Sequence, residues 1–446
     1  MSSFRGPWAP SLALFLAGAL LRVDIYAIGR ISFGELILVL LSVGYWGKLL
    51  DEARHVRAIG IYLVLLGLWV LGIVLSDLVN GSGFDLFFRG VARPLVVLSM
   101  FVACFGLLRK HPRAFLWFFL GLLVSASGNL IFETDFRVSD HLEKLSYGYA
   151  AFVYTPMVFA VTTIAAFFLA RYNAALPTLL FVAVFLLVSE RFSRTTAASF
   201  LAAAAIFHLV LLLRSAVGTR RFGPGSVMMM VFIALIGGYL ALQAYIGLAV
   251  SGAFGDRLAG KVLMQIRAPT SDDVINMFLS ARYALVSNYL MIVENPIFGS
   301  GSWPVEGPYV IKALRFLGIE IPPVVYLDIV ARRGTGHSIL FGNWANYGPL
   351  VIPFWIYIFS RTLAFFKDLV LSRSRLYWLV APYLITFLFS IPFNNLSSLN
   401  RIFAALIPAA MIVATVAVRD ARQNGSAVAD RGRTARPLPG SGIINA

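Results

Sequence analysis

AIGIYLVLLGLWVLGIVLSDLV, residues 58–79, carries no charge until Asp77, close to its end. About 20 apolar residues at about 1.5 Å rise each cross the hydrocarbon core of a bilayer, so this run predicts a membrane-spanning helix. Working outward, comparable apolar runs recur near residues 8–29, 32–50, 90–108, 114–131, 149–170, 174–189, 196–213, 226–250, 338–360, 376–392 and 402–418. With the first they make about twelve spans. The composition agrees: 59% of residues are hydrophobic, 13% are charged and the mean hydropathy is +0.82. A water-soluble domain carries about twice that charge. A β-barrel would show alternating segments of about ten residues, which this chain lacks. The expected fold class is all-α, a polytopic transmembrane helical bundle. The first run has neither the basic flank nor the small-x-small site of a signal peptide and is read as a helix.

Lysine and arginine set the expected orientation. Lys48, Arg54 and Arg57, then Arg109, Lys110 and Arg113, then Arg171, then Arg214, Arg220 and Arg221, then Arg361, Lys367, Arg373 and Arg375 all fall on one side of a twelve-span chain. Arg419, Arg422, Arg431, Arg433 and Arg436 join them. That side is expected to be the cytoplasm, with both termini there. The net charge of +16 is then mostly topology, and no nucleic-acid partner is implied. The expected organisation is membrane helices over 1–250, a large outer loop over 251–337, further membrane helices over 338–418 and a disordered tail over 419–446. Cys104 is the single cysteine and lies within a span, so neither a disulfide framework nor a sulfur metal site is expected. No Walker loop, dinucleotide fingerprint or HExxH motif occurs. ATP hydrolysis, a cofactor and a metal site are not expected.

Polar chemistry concentrates at three places. The loop from about Ser251 to His337 holds eight basic and seven acidic side chains and is long enough to carry its own structure. Within it, residues 274–293 have helical spacing, with Arg282 on an otherwise apolar face. Asn295-Pro296 should end that helix, because a residue before proline avoids the α region. FGSGSW, residues 298–303, then reads as a tight glycine turn. Arg282 reads equally as an arginine snorkelling to the bilayer surface. The second place is the short turn SERFSRTTAASF, residues 189–200, where Glu190, Arg191 and Arg194 crowd together. It is either an internal ion pair or an anion site, since arginine grips a diphosphate bidentately. The third is His337, which follows Gly334-Thr335-Gly336 and opens the 338–360 run. It is an interfacial polar residue or a proton acceptor facing a cavity. Phe341 and Trp344 share its helical face, while Asn343 and Asn346 are expected to hydrogen-bond between helices. Arg89, Arg93 and Arg257 are weaker anion-binding candidates. Asp77, Asn80, Asn394, Asn395, Asn400 and Arg401 read mainly as solvated loop residues.

In their order these elements resemble the bacterial O-antigen ligase and O-antigen polymerase superfamily. The likeness rests on Ser193-Arg194-Thr195 after a span, on Arg282 followed by Pro296, Gly299 and Gly301, and on Gly336-His337-Ser338 followed by Asn346-Tyr347-Gly348. It covers about residues 189–360. This chain has His-Ser where the family usually has His-Asn, and Gly348-Pro349 where it has Gly-x-x-Gly. The resemblance implies a metal-independent, inverting glycosyltransferase whose donor is a saccharide on undecaprenyl diphosphate. The implied acceptor is a lipid-linked saccharide for a polymerase, or lipid A-core for a ligase. Membrane lipids and a chain-length regulator protein are the further partners implied. Carried across by position, the functional residues are Arg194, Arg282 and His337, with Arg191 beside the diphosphate. A transporter or lipid flippase and a non-catalytic membrane scaffold are the competing readings. A transporter would show paired half-repeats with broken helices, and the long loop after the ninth run has no counterpart in the first half.

Overall fold

The computed structural model describes residues 8–26, 30–132, 149–191, 194–217, 237, 239–240, 242–252, 262–263, 266, 272–319, 326, 329–330 and 338–434. Almost all of them are helical. In chain order the helices are α1 Ala9–Ala19, α2 Phe33–Ser42, α3 Trp46–Ala53, α4 Arg57–Asn80, α5 Phe84–Lys110 and α6 Ala114–Phe132. Then come α7 Tyr149–Leu169, α8 Ala175–Arg191, α9 Arg194–Val217, α10 Asp273–Ala281, α11 Tyr283–Glu294 and α12 Gly307–Phe316. The last four are α13 Ile339–Tyr347, α14 Ile352–Leu371, α15 Leu376–Phe393 and α16 Ser398–Thr434. A hairpin of β1, Asp24–Tyr26, and β2, Arg30–Ser32, lies between α1 and α2.

Among the described residues, five helical segments are long and apolar enough to cross a membrane: Arg57–Asn80, Phe84–Lys110, Pro349–Leu371, Leu376–Phe393 and Ser398–Ala417. The pair α2 and α3, bent by 67°, makes a sixth if it is one span. The chain is therefore an all-α membrane protein in its helix content and apolar surface. Its exposed side chains include Leu40, Val64, Leu78, Leu179 and Leu187, as lipid contact requires.

Several expected boundaries move. The first helix stops at Ala19, well short of 29, and the chain turns back as the hairpin, where Ile25 pairs with Ile31 and the Arg30 Nε bonds Asp24 at 2.6 Å. The 338–360 run is two pieces: α13 ends at Gly348, whose φ is 76°, and Pro349 starts the helix that is long enough to cross. A left-handed residue followed by proline cannot continue a helix. Arg361 and Lys367 consequently lie on α14 rather than in a loop. The last helix runs on past 418 to Thr434, into the stretch expected to be unstructured.

Aromatic rings fill the centre. Tyr62 stacks on Phe101 at 4.0 Å between centroids, and Trp69, Phe354 and Trp355 pack edge and face around them. Hydroxyls there find backbone oxygens, as Tyr377 does with the Ala203 carbonyl at 2.6 Å. α1 and α6 cross closely because Gly18 and Gly121 face each other; a Cβ on Gly18 would collide with the Phe118 oxygen. Glu35 is fully buried and takes a fork of bonds from Arg401, at 2.6 Å from Nε and 2.8 Å from Nη2. Arg401 is thus a tie between α2 and α16 and not a solvated loop residue. At one end of the bundle Arg109 meets Asp420 at 2.7 Å and Arg419 meets Glu52 at 3.3 Å. These contacts bring the segments around Glu52, Arg109 and Arg419 together at one end of the bundle.

Candidate functional site

The opposite end is organised by the glycine turn. α11 stops at Glu294, with Asn295 beyond it and Pro296 next, as the pre-proline rule predicts. Gly299, Gly301 and Trp303 then adopt φ of 68°, 83° and 59°. Left-handed φ is easy for glycine and costly for tryptophan, so the turn needs external clamps. α13 supplies two: Ser300 N donates to the Ala345 oxygen and Gly301 N to the Asn346 oxygen, both at 2.9 Å. α4 supplies the rest. Ser76 Oγ accepts from Gly301 N at 3.1 Å and donates to the Asn346 oxygen at 2.7 Å. Asn80 Nδ2 donates to the Gly299 oxygen at 3.1 Å. The Asp77 carboxylate accepts from Ser302 N at 2.5 Å, Ser302 Oγ at 2.7 Å and Ser82 Oγ at 2.6 Å. Asp77 is only 4% exposed.

Its position at the end of an apolar run predicts a solvated Asp77. The burial comes from a turn more than two hundred residues away in the chain. Ser76, Asp77 and Asn80 are thus residues that sequence reasoning misses, although three polar side chains at the end of one apolar helix are the available signal. Asp77→Ala strips three donors of a charged acceptor inside the bundle. Such losses cost about 3 kcal/mol or more together. A lower thermal unfolding midpoint and faster proteolysis between 295 and 305 are the expected results, with Asp77→Asn milder. An unchanged midpoint for Asp77→Ala would mean that the turn holds its shape without this clamp.

Arg282 sits at a break. The spacing of residues 274–293 predicts one helix, but α10 ends at Ala281 and α11 begins at Tyr283, with Arg282 between them at φ −132° and ψ 37°. Asp272 caps α10, accepting from Val274 N at 2.9 Å and Ile275 N at 3.1 Å. Off the helical track, the Arg282 guanidinium lies over the ring of Phe389 on α15, 5.1 Å from its centroid. Its partial burial lowers its pKa, yet a guanidinium keeps its charge near neutrality. At the other end of α11, Glu294 accepts from Tyr309 Oη at 2.5 Å and Lys312 Nζ at 3.2 Å, which fastens α12 to it.

His337 lies outside the described residues, as does Arg257. The next residue, Ser338, is buried and caps α13, its Oγ accepting from Phe341 N at 3.0 Å. A serine at this position therefore starts the helix well. Trp344 Nε1 donates to the Pro296 oxygen at 3.0 Å, joining α13 to the turn again. Among the described residues Asn343 bridges no helices; its Nδ2 bonds the Ile339 oxygen within α13. Asn346 serves through its backbone oxygen, and its amide has no hydrogen-bond partner among the described residues. Arg191 is the last residue of α8 and Arg194 the first of α9, so the turn between these helices is as short as expected. The side chains of both arginines lie outside the described residues. Arg89 is exposed, whereas Arg93 is partly buried with its guanidinium 4.6 Å from the Trp303 ring centroid.

One helix touches Arg282 and packs against two helices that adjoin the other expected residues in the chain. α15 carries Phe389 beneath Arg282 and packs against α9, which starts with Arg194. It also packs against α13, which starts directly after the His337-Ser338 pair. α11 and α13 pack on each other as well. No protein-family model matches the chain, and no curated protein matches it.

Proposed function

We propose that this chain is a membrane glycosyltransferase of the O-antigen or exopolysaccharide polymerase type. It moves a saccharide from undecaprenyl diphosphate to a sugar hydroxyl on a lipid-linked acceptor. The observation that supports this reading is the convergence on α15 of Arg282, the helix headed by Arg194 and the helix that His337 precedes. In the reaction the acceptor oxygen bonds to the anomeric carbon and the bond from that carbon to the diphosphate oxygen breaks. The pair of electrons leaves with the diphosphate, and the hydroxyl proton passes to His337. Arg282 and Arg194, with Arg191 beside them, hold the negative charge that grows on the leaving group, each worth a few kcal/mol on the scale of oxyanion donors. Attack opposite the leaving group inverts the anomeric centre. No nucleotide is consumed, because the diphosphate ester carries the driving force.

The proposed setting is a bacterial inner membrane crossed about twelve times, with both termini in the cytoplasm and the 251–337 loop in the periplasm. A chain-length regulator is the proposed protein partner. Cysteine labelling tests the topology against a background in which Cys104 is buried. Thr270→Cys should react from outside and Gly218→Cys only from inside; external labelling at 218 contradicts the arrangement. The reaction is tested by the glycans of a deletion strain. Single repeat units with the long chains lost are expected. Finished polymer accumulating on its lipid carrier would show a ligase that transfers to lipid A-core, and unaltered glycans would discard the reading.

A further inference from the structure

Arg93, one of the weaker anion-binding candidates, is a charged group that the proposed reaction leaves unused. It stands nine residues into α5, about 14 Å from that helix's first residue at the usual rise. No carboxylate lies within ion-pair distance of it among the described residues, in contrast to Arg401, which Glu35 neutralises. Charges placed inside a membrane bundle are costly and are kept where they meet a ligand or a partner. Trp303 covers one face of the guanidinium, 4.6 Å from its centroid. The Trp303 indole N–H and the Tyr347 hydroxyl are both buried without a hydrogen-bond partner among the described residues. Tyr347 directly follows Asn346, whose backbone oxygen accepts from Gly301 N at 2.9 Å, two residues before Trp303. The strained turn fixes Trp303, and α13 fixes Tyr347, so these groups are held in place before anything binds.

We infer that Arg93, Trp303 and Tyr347 form an anion subsite for a phosphoryl oxyanion at the loop end of α5. A guanidinium offers a planar fork to two phosphate oxygens. An indole N–H and a phenol O–H add neutral donors, and buried donors of this kind gain most from a charged acceptor. The Asp77 carboxylate makes no ion pair with Arg93 among the described residues; it takes its bonds from Ser302 and Ser82. The subsite rests on the proposed reaction only in the identity of the phosphate's owner, which would be the lipid diphosphate donor. A phospholipid headgroup presents the same chemistry.

The test is anion-induced thermal stabilisation of the full chain, in phosphate-free detergent with inorganic pyrophosphate and in nanodiscs with or without phosphatidylglycerol. The wild type should be stabilised in a saturable way. Arg93→Gln should weaken the apparent affinity about tenfold or more, the loss of a charge-assisted fork. Arg93→Lys should recover it in part, and Tyr347→Phe should weaken it severalfold. Arg315→Gln, on the exposed face of α12, should respond as the wild type does. Stabilisation by pyrophosphate alone identifies a free or donor phosphate, and stabilisation by phosphatidylglycerol alone identifies a headgroup; either supports the subsite if it depends on Arg93. If Arg93→Gln does not fold, Tyr347→Phe and Trp303→Phe carry the test. No stabilisation of the wild type by either probe overturns the inference, as does wild-type response in the Arg93 and Tyr347 variants. An Arg93-dependent response in a protein that transfers no glycan keeps the subsite and removes the reaction. Transfer with a response indifferent to Arg93 does the reverse.

Discussion

Replacing His337 with alanine should lower turnover by about a hundredfold or more, the size usual for loss of a general base. The expectation rests on a titratable ring directly before Ser338, the cap of a helix that packs against both α11 and α15. Donor binding should change little, because the diphosphate is assigned to arginines. The wild-type rate should fall as acid protonates the base, and that acid limb should vanish in the variant. His337→Gln separates two roles: an amide can orient the acceptor hydroxyl but cannot take its proton, so retained activity there means orientation. Reconstituted enzyme with a lipid-linked donor is the assay. Wild-type turnover in His337→Ala would leave the proposed chemistry without its base.

Arg282→Lys should cost about a hundredfold or more in turnover at normal membrane abundance, comparable to removing an oxyanion donor. Lysine keeps the charge and a cation over Phe389, so the local packing survives. The planar fork that matches two phosphate oxygens disappears. The break between α10 and α11 matters here, since it takes Arg282 off the helical track and sets it against α15. Near-normal rates in the lysine variant would assign Arg282 to packing at the membrane surface.

Much of the fold is legible one residue at a time. Apolar length marks α4, α5, α15 and the start of α16, because a bilayer asks the same of every span whatever its neighbours are. Proline ends α11 where expected, because the restriction on the preceding residue is local. The glycine turn is legible for the same reason. Misreadings arise where distant segments meet. The Arg282 break appears in no propensity, since residues 274–293 carry the spacing of one helix, yet Arg282 leaves the helical track and its guanidinium lies over Phe389 of α15. Arg401 reads as a loop residue until Glu35 is placed opposite it, 366 positions away in the chain.

By itself, then, the sequence determined the solvent, the helical class and the sites of several helix ends. All of these follow from short-range sterics and from the cost of placing backbone or charge in hydrocarbon. Only the tertiary structure decided that Asp77 is a buried clamp on Ser302, that Arg93 lies beneath Trp303 and that α15 gathers Arg282 with α9 and α13. A hydrogen bond or a cation over a ring acts across a few ångströms, and which residues come within that reach depends on how the helices pack, not on their order in the chain.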